Sequence, residues 1–561
     1  MLCLVSGARY VVAQQVRGVA RDSSTSAPLP GVVIFAVDST GATLSRTIAD
    51  AAGRFSLTLP MHAMRLRAIR IGYRPRELPL PAGESSLEFA MTRIPPMLDA
   101  IRVTDRELCP GSTDRGSAFQ LWEQARAGLL ASVVAREASP ATATSLTFER
   151  RTIPGDELIR RQRVELRTGL TTRPFAAAAA ASEFAAQGYL REVGSDRLFL
   201  APDADVLLDE SFAATHCFHL QAADAAHSEQ IGLAFIPVPG RPDSLVDVSG
   251  VIWIDRSDPA LRSFDFRYTN LEPAAVRAEA GGHLEFRSVS NGVSFIQWWS
   301  LRLPVLTQVT RPSPTASTPF PITSRRQDRR DLRATEIHES GGQVLQAKWQ
   351  DGTNWREEPT GITGSVAQRG GAAPIPNALV TLTGTADTTS TDDRGDFSLT
   401  AMVPGRYSVV VADTTLGAFT PPRTESHVVD VRRGQVTEVR AQLLSARDAI
   451  AQICRGQKLL PNTTTIAGRV LLPGGSPPPA GVVRATWQSD YGAVGDLISI
   501  ASAERSITLD SEGRFLLCGV ALERPVHLVL TSSAGVADTT VRSYETLLKS
   551  VDWRPAPRPP R

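Results

Sequence analysis

The sequence lacks the signatures of most enzyme classes. None of its eight histidines has a glutamate three positions on, so the His-x-x-Glu half of a zinc carboxypeptidase site is missing. No Gly-x-Ser-x-Gly nucleophile elbow and no Walker loop occur. Charge of one sign is lacking too. Sixty Lys and Arg face 58 Asp and Glu, a net of +2, which gives no electrostatic argument for nucleic acid or an anionic membrane. No apolar run reaches the ~18 residues of a transmembrane helix, and there is no room for the many long alternating strands of a membrane barrel. Cysteine is scarce, at five in 561 residues. The length predicts several domains, and 42% apolar residues are enough to give them cores.

What is present is one frame used three times. Its clearest copy opens with Gly364-Ser365-Val366, turns at Pro374-Ile375-Pro376-Asn377 and continues as an alternating strand from Ala378 to Leu382. It then passes through Asp392-Asp393-Arg394-Gly395-Asp396-Phe397. The first copy has Gly18, Gly31, Gly53 and Phe55 at the matching places, and the third has Gly468, Gly481, Gly513 and Phe515. The opening glycine and the turn residue (Gly31, Asn377, Gly481) are 13 apart in every copy, while the distance to the second glycine (Gly53, Gly395, Gly513) is 35, 31 or 45. A fixed hairpin followed by a loop of variable length fits those spacings. The Gly or Asn of the first turn suits a positive φ. In Asp-x-x-Gly-x-Phe, the Asp side chain can accept from backbone amides, Gly takes the left-handed position and Phe enters the core. Period-two apolar runs punctuated by Pro, Gly and Asp predict small β-sandwiches.

These residues resemble the carboxypeptidase regulatory-like domain, a transthyretin-like seven-stranded sandwich. In that family the module is an accessory, found beside metallocarboxypeptidases and in surface proteins, and it has no chemistry of its own. The resemblance therefore implies a fold more than a function. In the first copy Ala68 to Tyr73 reads as the last strand. That strand, with Ile94 to Thr104 as a linker, is similar to the N-terminal module of TonB-dependent outer-membrane receptors.

Val11-Val12-Ala13 before Gln14 reads as the end of a secretory signal that starts upstream, with a structured first strand as the alternative. If Cys3 leaves with it, Cys109, Cys217, Cys454 and Cys518 remain. Four cysteines allow three connectivities, and an even count in an exported chain reads as disulfides. Domain boundaries favour Cys109 with Cys217 and Cys454 with Cys518; isolated buried thiols are the alternative.

The expected organisation is a mainly β chain, with three small transthyretin-like sandwiches flanking a central α+β domain. The segments are a signal (1–15), the first sandwich with its linker (16–105), the central domain (106–350) and the second sandwich (358–444). A short helix and linker (445–461), the third sandwich (462–551) and a Pro/Arg tail (552–561) follow. In the central domain Ser117 to Arg136 is the best helix, with Phe119, Trp122, Ala125, Leu129 and Val133 on one face. Strand-like segments follow it, Arg197 to Leu200 among them. Val248–Asp255, Leu261–Tyr268, Gly282–Val289 and Val293–Leu303 then read as an antiparallel meander. Phe264, Phe266, Tyr268, Leu284 and Phe286 share one of its faces and are the candidate ligand face. Gly250 to Asp255 with Pro259-Ala260-Leu261-Arg262 resembles a hairpin of periplasmic lipoprotein carriers, which implies a half-barrel. Residues 304 to 333 read as a polar loop or hairpin excursion.

His216-Cys217-Phe218-His219 could be a metal cluster with Asp203, Asp205 or Asp209. Strand alternation would send the two histidines to opposite faces, so a bridged Cys217 between structural histidines is the expectation. Asp203 and Asp205 are expected to be turn formers rather than a catalytic pair. No catalytic residue, metal site or cofactor is assigned. The sequence leads to a non-enzymatic exported envelope protein, periplasmic, outer-membrane associated or extracellular, whose partner is an envelope protein or a glycan. The alternative is a carrier or sensor of a lipid or other apolar ligand, and a metal-dependent hydrolase is the third reading.

Overall fold

A computed structural model describes residues 14–80, 86–94, 109, 117–138, 140–170, 177–193, 196–256, 260–311, 329–371, 373–414, 416, 420–455, 462–478, 480–490 and 500–555. The signal segment up to Ala13, the receptor-like linker 95–104 and the end of the tail, 556–561, lie outside them. The chain is mainly β and forms two compact units, 1–358 and 359–561. No described helix is long and apolar enough to cross a membrane.

All three sandwiches have one topology. In the second unit Gly361–Gln368 lies between Asp396–Thr400, antiparallel, and Val436–Leu443, parallel. The facing sheet has the order Thr388–Ser390, Leu379–Leu382, Gly405–Asp413, Arg423–Val431. Thr463–Val470 is placed likewise between Arg514–Ala521 and Leu548–Trp553. Gln14–Asp22 of the first unit is placed likewise between Arg54–Leu59 and Ser86–Met91. The first sandwich corrects one expectation. Its strand at Ala68 ends at Ile69, and Arg76–Pro79 and Ser86–Met91 follow, so Ala68 to Tyr73 is not the last strand.

The Asp-x-x-Gly-x-Phe turn is the same in each copy. Asp50 Oδ1 accepts from the backbone N–H of Ala52 and Arg54 at 2.9 and 2.8 Å. Asp392 serves Arg394 and Asp396, both at 2.9 Å, and Asp510 serves Glu512 and Arg514 at 2.9 and 2.8 Å. Gly53, Gly395 and Gly513 have φ of 72, 78 and 76°, where a side chain would be strained. Phe55, Phe397 and Phe515 are buried. At the other turn Gly31 and Asn377 have φ of 74 and 58°, but in the third copy the positive φ falls on Ala480, at 46°. The turn has slipped by one residue, and Gly481 serves packing instead: a Cβ there would stand 2.7 Å from Leu509 Cδ1.

The central region is a ten-stranded sheet, antiparallel throughout. Its order begins His216–Gln221, Gln230–Pro237, Val248–Asp255, Leu261–Tyr268 and Gly281–Ser288. It continues with Ser294–Arg311, Arg329–Lys348, Thr142–Thr152 and Ile159–Leu170, and Asn354–Arg356 pairs with Arg329–Lys348. The excursion expected over 304–333 is therefore two long paired strands on either side of residues outside the description. Arg197 to Phe199 lies off this sheet, in a hairpin of Leu190–Val193 with Asp196–Phe199.

The helix Ser117–Ala138 is buried on two sides. Trp122, Ala125, Leu129 and Val133 pack into the core of the sheet. Ala131 and Val134, on another face, pack with Val33, Phe35 and Val37 of the first sandwich. The strand Val33–Val37 is buried at every position for the same reason: Ile34 and Ala36 enter the sandwich core while their neighbours meet the helix. In the second unit the helix Ala446–Ile453 is capped by Ser445, whose Oγ accepts from Asp448 N–H at 3.1 Å. Ala449 and Ile450 pack with Leu416 of the second sandwich and with the Cys454–Cys518 bridge.

Candidate functional site

The residues expected as a ligand face are core. Phe264, Phe266, Tyr268, Leu284 and Phe286 all lie in one buried cluster with Trp122, Ala125 and Leu129 of the long helix. The face is not open to a ligand because helix side chains occupy it, as the same apolar face requires when a helix packs on a sheet.

Asp203, Asp209 and His216 near Cys217 are held in helix caps and in the core, while Asp205, expected in a turn, stands in the first turn of the helix Ala204–Leu208. Asp203 caps the helix Ala204–Leu208, its Oδ1 accepting from Val206 N–H at 3.0 Å and its Oδ2 from Ala177 N–H at 2.9 Å. Asp209 caps Glu210–Thr215 through Ser211 N–H at 2.8 Å. His216 is fully buried, stacked on Phe212 with ring centres 4.0 Å apart. Its Nε2 is 3.1 Å from Val248 O and 3.4 Å from Asp247 Oδ1, and its Nδ1 is 3.1 Å from Phe212 O. Burial works against the Asp247 charge, but His216, Val248 N–H and Arg241 outweigh it and hold the carboxyl below its usual range. Cys217 is bonded to Cys109, and Cys454 to Cys518. Among the described residues no three metal-ligating side chains converge.

The polar chemistry sits on the opposite face of the sheet. Register places His219, Ala234, Val251, Asp265, His283 and Ser300 side by side across six strands. The small residues Ala234, Ser249, Gly281 and Ser300 floor an open groove of about 580 Å³. His219, His227, Asp265, Arg267, His283 and Arg302 also line it. His283 Nδ1 is 2.6 Å from Asp265 and its Nε2 3.1 Å from Glu285. Burial lowers the affinity of His283 for a proton, yet the hydrogen bonds and charges of Asp265 and Glu285 prevail and push its pKa up to about 9. Arg302 grips Glu157 with both terminal nitrogens, at 2.8 and 2.6 Å, and Arg267 meets Glu279 at 3.0 Å. His227 lies flat on Trp253, ring centres 4.0 Å apart, and is held by Asp224 at 2.8 Å.

Asp265, His283 and Ser300 follow one another as an acid, a base and a nucleophile would. The surroundings of His283 work against that order: its pKa, pushed up to about 9, favours the protonated ring at neutral pH, and its Nε2 meets Glu285. What the groove offers is charges compensated in pairs, together with a His219 Nδ1 that is buried without a hydrogen-bond partner. Sequence reasoning passed over His283, Asp265 and Arg302 because they are far apart in the chain. The available signal was alternation: in the strands that carry Phe264, Phe266 and Leu284, Asp265 and His283 are the residues in between.

The three sandwiches share their repeated turns and their strand order. The family model of the carboxypeptidase regulatory-like domain matches residues 15–92 and 361–444. These two sandwiches belong to that family. The third lies outside the match but shares the strand order and turn chemistry of both regulatory-like domains. No curated protein matches the chain. Among solved structures, a streptococcal ancillary pilin is 10% identical, with 41% of this chain and 82% of that one covered at a TM-score of 0.16. The shaft pilin SpaA of Lactobacillus rhamnosus GG is 12% identical over 36% of this chain and 100% of its own, with a TM-score of 0.14. The Bacillus anthracis TIE protein is 8% identical over 74% and 68%, with a TM-score of 0.15. Overlaps this partial say nothing about the role of this chain.

Proposed function

We propose that the protein is a non-enzymatic, exported scaffold of the cell envelope, which binds a protein or glycan partner on open surfaces. The observation that carries this reading is the filling of the central sheet. The long helix occupies the apolar face that a carrier of lipid would need, so ligand-facing chemistry is left to the shallow groove of His219, Asp265, His283 and Arg302. Shallow, charge-compensated surfaces suit hydroxyl-rich or polypeptide partners better than they suit an apolar small molecule. Two disulfides favour an oxidising compartment. The regulatory-like domains supply rigid modules without chemistry of their own.

Co-sedimentation of the oxidised protein with purified cell-wall polysaccharide, and cross-linking to envelope proteins in intact cells, test this reading. Binding that the double variant Asp265→Asn, Arg302→Ala abolishes, with no turnover of the bound material, is the expected result. Extraction of a bound lipid from the native protein, or hydrolysis of a substrate lost with His283→Gln, would overturn it.

A further inference from the structure

The last strand of the large sheet, Ile159–Leu170, pairs with Thr142–Thr152 on one side and with no strand on the other among the described residues. It is twelve residues long and contains no proline. An open edge of that length exposes a row of backbone donors and acceptors, and natural proteins cover or blunt such edges. This one carries an apolar stripe instead. Val164, Leu166 and Leu170 share one face and are 39, 63 and 66% exposed. The other face carries Arg161, Arg163, Glu165 and Arg167, and Glu165 is bridged by both neighbours, from Arg163 at 2.9 Å and Arg167 at 2.8 Å.

Arginines ordinarily protect an edge. Here one antiparallel register pairs opposite charges across the strands without opposing like ones. Centring a two-fold axis on Glu165 would oppose Glu165 to itself and Arg163 to Arg167. Centring it on Val164 would pair Arg163 with Glu165 but would also oppose Arg161 to Arg167, and centring it on Arg167 would oppose that residue to itself. Centred on Leu166, Glu165 faces Arg167 of the second strand and Arg167 faces its Glu165. Leu166 then meets Leu166, Val164 meets Thr168, and Arg163 meets Gly169, which leaves the long side chain room. Opposite charges and apolar pairs across strands each stabilise a sheet, and like charges directly opposed destabilise it.

We propose that the protein pairs with a second copy of itself through this strand, antiparallel and centred on Leu166, so that the two large sheets become one. The interface is isologous, as a closed dimer requires. It is independent of whatever the groove on the sheet binds.

Sedimentation velocity on the full oxidised chain over a concentration series tests the pairing. A monomer–dimer equilibrium is expected. Leu166→Arg, which sets two cations on the axis, should give a monomer with unchanged circular dichroism and the melting temperature of the wild type diluted to monomer, since residue 166 is exposed in the single chain. Arg167→Glu opposes carboxylates at both outer pairs and should weaken the dimer by about tenfold. Adding Glu165→Arg to it restores both ion pairs and should restore the dimer, which a merely structural effect on the strand would not do. A protein that stays monomeric into the millimolar range overturns the proposal. So does a dimer that survives Leu166→Arg, or one that the double charge swap fails to rescue.

Discussion

The ring of Phe515 occupies the space that a side chain at Gly468 would fill: a Cβ there would stand 2.5 Å from its Cζ. The two residues face each other across adjacent strands, as do Gly18 with Phe55 and Gly364 with Phe397, where the corresponding distances are 2.5 and 2.6 Å. The opening glycine of the repeat is therefore a slot for the phenylalanine that closes it. Gly364→Ala should cost about 1–3 kcal/mol by overpacking, and Phe397→Ala about 3–5 kcal/mol by leaving a cavity. In the double variant the costs should fall partly short of their sum, because the alanine methyl enters space the ring has left but still meets the Val439 carbonyl oxygen, 2.1 Å from the Cβ position. Denaturant unfolding of the four proteins reads the coupling, and strict additivity would remove the slot.

The slipped turn of the third copy gives a prediction of opposite sign at neighbouring positions. Ala480 holds the left-handed conformation that Gly31 and Asn377 hold in the other copies. Ala480→Gly should therefore stabilise the third sandwich or leave it unchanged, within about 1 kcal/mol. Gly481→Ala should destabilise it by about 1–3 kcal/mol, because the new methyl meets Leu509. Thermal melts of both variants decide whether the strained position is 480 or 481.

That slip shows what the repeat could and could not disclose. The spacing of 13 located three turns, and the Asp-x-x-Gly-x-Phe chemistry was readable because its hydrogen bonds lie within five residues. The exact residue in the left-handed region depends on what packs beneath it, here Leu509, which is 28 positions away. The candidate face of Phe264 and Leu284 was legible as one face but not as buried or open, since alternation says nothing about what lies on top. Val33 to Val37 did carry such a signal. Its unbroken apolar run, against the alternating Val482-Val483-Arg484-Ala485-Thr486 of the third copy, marks a strand covered on both sides.

His283 makes stability depend on pH. Its folded pKa of about 9 lies above the ordinary 6.5 of an unfolded chain. Its contribution is then complete below about pH 6.5 and is lost as pH rises through 9. Imidazole NMR should show one histidine titrating near pH 9, and Asp265→Asn should bring that pKa down. His283→Gln should flatten the fall in melting temperature over the same window. A His283 resonance that titrates near 6.5 would remove both the paired imidazolium and the argument against its serving as a base.

The Cys454–Cys518 bridge ties the end of the helix Ala446–Ile453 to the Phe515 strand of the third sandwich. It closes a loop of 64 residues, and its loss through Cys454→Ser with Cys518→Ser should cost about 2–4 kcal/mol. The effect should be local first. Ala449 and Ile450 pack on the bridge and on Leu416, so amide exchange in the helix should accelerate before exchange in the strands of either sandwich. Reduction of the wild-type protein should reproduce the variant.

The helix Ser117–Ala138 offers a way to separate the two layers it joins. Leu129 points into the sheet core and Val134 toward Val33, Phe35 and Val37 of the first sandwich. Leu129→Ala should cost about 2–5 kcal/mol and lower the melting of the whole first unit, because Leu129 is fully buried in the core of the large sheet. Val134→Asp places a charge without a partner against a strand that is buried on both sides, so the first sandwich should release its hold while the sheet core persists. Limited proteolysis distinguishes the two outcomes. Val134→Asp should yield a protected central fragment together with a protected sandwich, cut between them, whereas Leu129→Ala should expose the sheet itself. If Val134→Asp also unfolds the sheet, the sandwich and the central domain share one cooperative core, and the helix is its centre.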